Sequence, residues 1–226
     1  MSFEEVDKYF GTDDLAQGFD ILKKRYDGGE KTTELLWRLA KFCRDLANRT
    51  PDNKKQHELI AQGQKYALEG YDLDQDNFLA VKWVAILTGR LTDYLGTKEK
   101  IEQGYKFKEY LDKALALDSK EHSLYHMRGR YAFGVAGLSW LERKAASVLY
   151  ATPPTATYDE ALSDFLHAHD VQADWLENLY YIAKCYIQKS DKANAKKFLE
   201  LASNVTPSDD AEKAISQDVQ KLLSKY

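Results

Sequence analysis

Proline and glycine are scarce, with four and twelve residues in a chain of 226. That leaves little material for turns, so long helices are expected. Strand signals are missing, because no alternating run enriched in β-branched residues occurs. Cysteine is limited to Cys43 and Cys185, which sit inside apolar helical patterns without a CxxC partner. They read as buried free thiols in a reducing compartment, with a disulfide between them as the alternative. No apolar run approaches the roughly 20 residues of a spanning helix. The longest, Tyr131 to Leu141, ends at Glu142-Arg143-Lys144. The opening MSFEEVDKYFG is acidic and poor in apolar residues, unlike a signal peptide. No transmembrane anchor is expected, and the cytoplasm is the expected compartment. Basic excess is lacking too: 32 Lys and Arg stand against 36 Asp and Glu, a net charge of -4. This argues against a generally basic nucleic-acid binder. There is no Gly-rich phosphate loop after a strand, no GxSxG and no HExxH. His122 and His126 have the spacing of a helical metal pair but lack a third ligand. Neither enzymatic activity nor a metal or other cofactor is expected.

What the chain does have is apolar residues at 44% and charged residues at 30%, the balance of a globular protein with a sizeable core. Their periodicity is helical nearly throughout, and stop signals divide it into about eleven helices. Ser2 and Glu5 form a capping box for a short first helix, and Thr157 and Glu160 form another. Thr50-Pro51 reads as a cap followed by proline at the first helical position. From Ser119 to about Tyr150 the pattern predicts one long helix, or two with a bend near Gly134-Gly137, ended by Pro153-Pro154.

The C-terminal part has a period. Leu179, Ile182, Ala183, Tyr186, Ala195, Leu199, Ala202 and Pro207 fall at positions 4, 7, 8, 11, 20, 24, 27 and 32 of a roughly 34-residue unit. This is the tetratricopeptide pattern, in which small residues let helix A and helix B of a hairpin approach closely. Earlier copies are degraded: Ala161, Phe165 and Ala168 fit positions 20, 24 and 27, and Leu36, Leu39 and Ala40 fit 4, 7 and 8. Gly129 suits position 8 of the third copy but lies about twenty residues too early. The prediction is an all-α, tetratricopeptide-like array. Capping helices occupy residues 1–31, repeats 32–207, and a last capping helix 208–226. A single repeat cannot bury its own face, so neighbours must stack.

In such an array helix A lines the concave surface through positions 2, 5, 9 and 12. The register assigns Trp37, Lys41 and Arg44 to the first repeat and Lys82 to the second. His126, Arg130 and, further along, Lys144 belong to the third, and Tyr180 and Lys184 to the last. Glu34 and Glu177 are the acidic members. The set predicts a basic groove in a net acidic chain, suited to acidic segments or a terminal carboxylate. In the alternative reading these cations pair with neighbouring carboxylates, and Trp37 and Trp140 are core.

Ser139-Trp140-Leu141-Glu142-Arg143-Lys144, Pro153-Pro154 and Thr157-Tyr158-Asp159-Glu160-Ala161-Leu162 carry a specific resemblance. Supporting stretches are Leu35-Leu36-Trp37-Arg38-Leu39-Ala40, Phe78-Leu79-Ala80-Val81-Lys82-Trp83 and Gly129-Arg130-Tyr131. From about Thr32 to Pro207 the chain resembles the regulator of microtubule dynamics family. The resemblance implies a tetratricopeptide-like domain, association with microtubules and the spindle and its poles, and a role in chromosome segregation. Tubulin tails are acidic and disordered, so they match the predicted groove, and spindle-associated proteins are the other expected partners. Some longer members bind phospholipids through this domain. That suggests an alternative, in which the apolar face from Tyr131 to Leu149 lines a lipid cavity with Arg130 or Lys144 at the headgroup.

Overall fold

The computed structural model describes residues 1–149 and 154–226, apart from the side chains of residues 97, 145 and 149. Tyr150 and Pro153, two of the predicted helix-ending residues, lie outside them. The described residues form twelve α-helices and one 3₁₀ turn, with no strand among them. They fall into two compact units, Met1–Asp118 and Ser119–Tyr226.

In the first unit α1 (Phe3–Asp7) and α2 (Leu15–Asp27) precede two hairpins. These are α3 (Thr33–Arg49) with α4 (Asn53–Leu73), and α5 (Phe78–Leu91) with α6 (Thr97–Leu117). The Ser2–Glu5 capping box is present on α1. Thr32 caps α3 by accepting from the Leu35 amide. Leu35, Leu36, Leu39, Ala40 and Cys43 are then completely buried on one side of α3. The α3–α4 junction corrects one expectation. Proline disfavours helical backbone in the residue before it. Thr50 is accordingly extended (φ -96°, ψ 133°), and α3 ends there. Asp52, not Thr50, caps α4, accepting from the Lys54 and Lys55 amides, so Pro51 precedes the helix.

Close approach in the first hairpin depends on glycine. A Cβ at Gly63 would lie 2.8 Å from Cys43 Cβ, and one at Gly70 would lie 3.2 Å from Leu36 Cβ. Gly63, Ala67 and Gly70 repeat the spacing of positions 20, 24 and 27, after a connection longer than the repeat predicts.

The second unit comprises α7 (His122–Ala136), α8 (Trp140–Leu149), α9 (Tyr158–Val171), α10 (Leu176–Gln188), α11 (Lys192–Ser203) and α12 (Asp210–Leu223). Of the two readings of this stretch, the broken one holds: α7 ends at Ala136 with Gly137 as its C-cap, and α8 begins at Trp140. Arg143 holds the break by donating to the carbonyls of Val135, Ala136 and Leu138. The hairpin pairs α7 with α9, and α8 is inserted between them. This explains the early Gly129: a Cβ there would meet the Phe165 ring at 2.8 Å. Gly129 is therefore the small residue of that crossing, separated from its partner by α8. The Thr157–Glu160 capping box opens α9. Ala183, Ala195, Leu199 and Ala202, predicted at the crossing of the last repeat, are completely buried between α10 and α11. The last helix starts at Asp210, two residues into the expected 208–226 segment, because Asp209 supplies the cap by accepting from the Glu212 amide. It packs on α10 and α11 through fully buried Val219. Each unit has its own apolar core.

Candidate functional site

The two units differ in how they treat the cations assigned to helix A. In the first, Trp37 is only 7% exposed and belongs to the core. Its indole donates to Glu34 Oε2 at 3.1 Å, and the Arg38 guanidinium lies 4.1 Å from its ring centre. Lys41 and Arg44 share one carboxylate: Lys41 Nζ lies 3.7 Å from Asp45 Oδ2, and Arg44 Nε 3.1 Å from Asp45 Oδ1. Lys41 also sits over the Phe10 ring at 3.2 Å, and its burial holds its pKa below the usual lysine range. Arg44 faces the Trp83 ring of α5 at 5.4 Å. Lys82, also on α5, lies 5.8 Å from the Phe78 ring centre.

In the second unit α7 and α10 bring His126, Arg130, Tyr180 and Lys184 around Tyr181, which the repeat positions did not single out. Arg130 lies 5.4 Å and Lys184 5.1 Å from the Tyr181 ring centre. Lys184 is also 5.0 Å from the rings of both Phe133 and Tyr180. An ammonium facing several aromatic rings is attracted to their electron-rich faces, more so when partly desolvated. Lys184 has no hydrogen bond or ion pair among the described residues. Burial pushes its pKa down and that of the Tyr180 phenol up. Arg130 Nη1 reaches Glu177 Oε1 at 3.0 Å, with half of the Arg130 side chain still exposed.

His126 is 2% exposed and lies inside the packing of this unit. Asn178, itself fully buried, donates from Nδ2 to the Phe165 carbonyl at 2.9 Å. Its Oδ1 therefore faces His126 Nδ1, also at 2.9 Å, and that nitrogen carries the proton. The remaining His126 Nε2 stands 3.5 Å from Glu177 Oε2. The network ties α7, α9 and α10 together beneath Arg130. His122 bonds Gln172 at 3.1 Å rather than joining His126. Among the described residues no group of three metal-ligating side chains occurs.

Lys144 is exposed on α8, with its ammonium 5.1 Å from the Trp140 ring centre. Trp140 is itself 69% exposed and so not core, and Leu141 and Val148 are also exposed. The apolar stretch expected to line a lipid cavity is thus divided, with part of its surface outward on α8. Cys43 and Cys185 are free and buried, their thiols pushed up to about 12 by burial.

A cleft of about 340 Å³ lies beside Lys184, between α10 and α12. Tyr180, Lys184, Ile187 and Gln188 line one side, and Asp218, Lys221, Leu222 and Lys225 the other. The last four were not among the predicted groove residues, because the repeat pattern assigns no groove position to a capping helix. The available signal was the i, i+4 pair Lys221 and Lys225 around Leu222.

The family model for regulator of microtubule dynamics proteins 1–3 matches residues 2–226. This chain belongs to the regulator of microtubule dynamics family. It is 42% identical over 224 residues to regulator of microtubule dynamics protein 1 of Caenorhabditis elegans, covering 99% of each. It is 36% identical to protein 3 of Xenopus laevis and 34% identical to protein 1 of Pongo abelii. It spans only 44% and 62% of those two relatives. Among solved structures it resembles MamA (TM-score 0.54, 14% identity, 98% of this chain and 97% of that one). It also resembles a thermophilic TPR protein of Thermus thermophilus (TM-score 0.63, 11% identity, 97% of each chain). These two likenesses establish the tetratricopeptide-like fold of this family member and nothing about its ligands. No helix among its described residues is long and apolar enough to cross a membrane.

Proposed function

We propose that this protein is a non-enzymatic adaptor in microtubule dynamics that holds acidic, disordered segments on the helix-A face of its second unit. Tubulin tails are the leading ligands, and spindle-associated proteins with similar acidic stretches are the others. Spindle and chromosome segregation are the setting taken from the family resemblance, and the cytoplasm is the compartment expected from the sequence. The reading rests on the Lys184 ammonium, held over three rings without a carboxylate partner among the described residues and next to the half-exposed Arg130. An unpaired cation on an aromatic platform gains an opposite charge at little further desolvation. The family name and the helical-repeat fold support a binding role over a catalytic one.

The test is microtubule co-sedimentation of the double variant Arg130→Gln, Lys184→Met. Methionine retains an unbranched stem against the rings and removes the charge. Pelleting is expected to fall roughly tenfold or more with unchanged helical circular dichroism, as for loss of two charge-assisted contacts. Undiminished pelleting would remove this face from the account.

A further inference from the structure

The cleft between α10 and α12 has a composition that pure charge attraction does not call for. Ile187 of α10 and Leu222 of α12 both line it, Tyr180 adds an aromatic ring, and three lysines join them: Lys184, Lys221 and Lys225. Asp218 is the single carboxylate in the lining, and it pairs with Lys221 at 3.1 Å through two exposed side chains. The lining carries three positive charges and one negative, a surplus of two. Lys184 and Lys225 have no ion pair among the described residues. An exposed lysine pair is weakly held and opens readily to a new carboxylate.

We infer that this cleft is a peptide-docking subsite that accepts one apolar or aromatic side chain flanked by carboxylates. The inference rests on the proposed reading of the neighbouring face and adds a sequence requirement to it. The inserted side chain packs between Ile187 and Leu222, while the acidic residues on either side meet Lys184 inside and Lys221 and Lys225 at the rim. About 340 Å³ is room for one or two side chains, at the low end of small-ligand sites. The two acyl chains of a phospholipid need several times that space. Rim lysines supply steering and salt sensitivity, and the apolar floor supplies selection among acidic segments.

The experiment uses the full chain and fluorescein-labelled Glu-Glu-Phe-Glu-Glu in fluorescence anisotropy. Glu-Glu-Ala-Glu-Glu and Gln-Gln-Phe-Gln-Gln are the comparison peptides. The first peptide should bind, and each of the others should bind roughly tenfold or more weakly, the effect expected for losing a buried ring or the charges. Lys221→Gln with Lys225→Gln should weaken the first peptide about threefold to tenfold, as for two rim contacts. In methyl NMR the first peptide should shift the Ile187 and Leu222 signals. Equal binding of the alanine peptide, an indifferent lysine pair, or shifts confined to other methyls would overturn the subsite. Binding of phosphatidylserine vesicles in place of the peptide would do the same. If the peptide results fail while Arg130→Gln, Lys184→Met still abolishes pelleting, the subsite falls and the broader reading stands. If pelleting is also unchanged, both fall.

Discussion

Lys184 has its character from what surrounds it. Phe133 of α7 and Tyr180 and Tyr181 of α10 present rings to its ammonium. Burial lowers its pKa, Asp218 of α12 and the neighbouring Cys185 partly oppose that, and Arg130 adds to it. The sign of the pH effect follows. With the folded value below the ordinary lysine value of 10.5, the unfolded chain binds the proton more tightly, so this lysine's contribution to stability rises with pH through that interval. The cation needed for binding is lost over the same interval. Exposed Lys189 behaves oppositely, its value raised by its bond to Asp159. In a lysine-side-chain NMR titration, Lys184 should therefore deprotonate before Lys189, with acidic-peptide binding weakening alongside it. Coincident or reversed midpoints would show that the ring platform does not desolvate the ammonium. Burial dominates at both thiols, outweighing the opposing pull of Lys184 and Lys189 on Cys185: at about 12, neither Cys43 nor Cys185 supplies thiolate near neutral pH.

The packing of helix pairs is decided by single small residues. On α7, two glycines on different sides of the helix have opposite roles. Gly129 abuts the rigid Phe165 ring, whereas a Cβ at Gly134 meets nothing within 4 Å among the described residues. Gly129→Ala should destabilise the protein by about 1–3 kcal/mol through overpacking. Gly134→Ala should stabilise it by about 0.5–1 kcal/mol, by reducing the freedom of the unfolded chain and favouring helix. Thermal or urea denaturation of the two variants checks the pair. A harmless Gly129→Ala would mean that α7 and α9 cross elsewhere. Sequence periodicity reveals the last hairpin because its crossing uses alanine at the expected spacing. The first hairpin is obscured by glycines in helix B and by a longer connection, and the third by the insertion of α8. The start of α4 departs from the Thr50-Pro51 reading because Asp52, one residue past Pro51, competes successfully for the free amides.

At the scale of the whole molecule, the chain is a net acidic repeat protein in which Lys184 combines a missing ion pair, among the described residues, with a platform of three rings. Register alone picks out the helix-A cations, and the Lys41–Asp45 pairing is readable as an i, i+4 spacing. The pairing of Arg130 with Glu177, the ring platform under Lys184 and the placement of Lys221 and Lys225 beside Lys184 depend on contacts between helices far apart in sequence. No local pattern encodes them. Binding of this kind should also weaken steeply with added salt, because Arg130 and the rim lysines are exposed and the screening length at physiological ionic strength is about 8 Å. The central claim, that acidic segments are what this protein holds, is tested most directly by co-sedimentation of the unaltered chain with two microtubule preparations. One is intact, and the other has had its acidic tails removed by limited proteolysis. Pelleting is expected with the intact polymer, with near-complete loss of it once the tails are gone. Equal pelleting with both would contradict the claim.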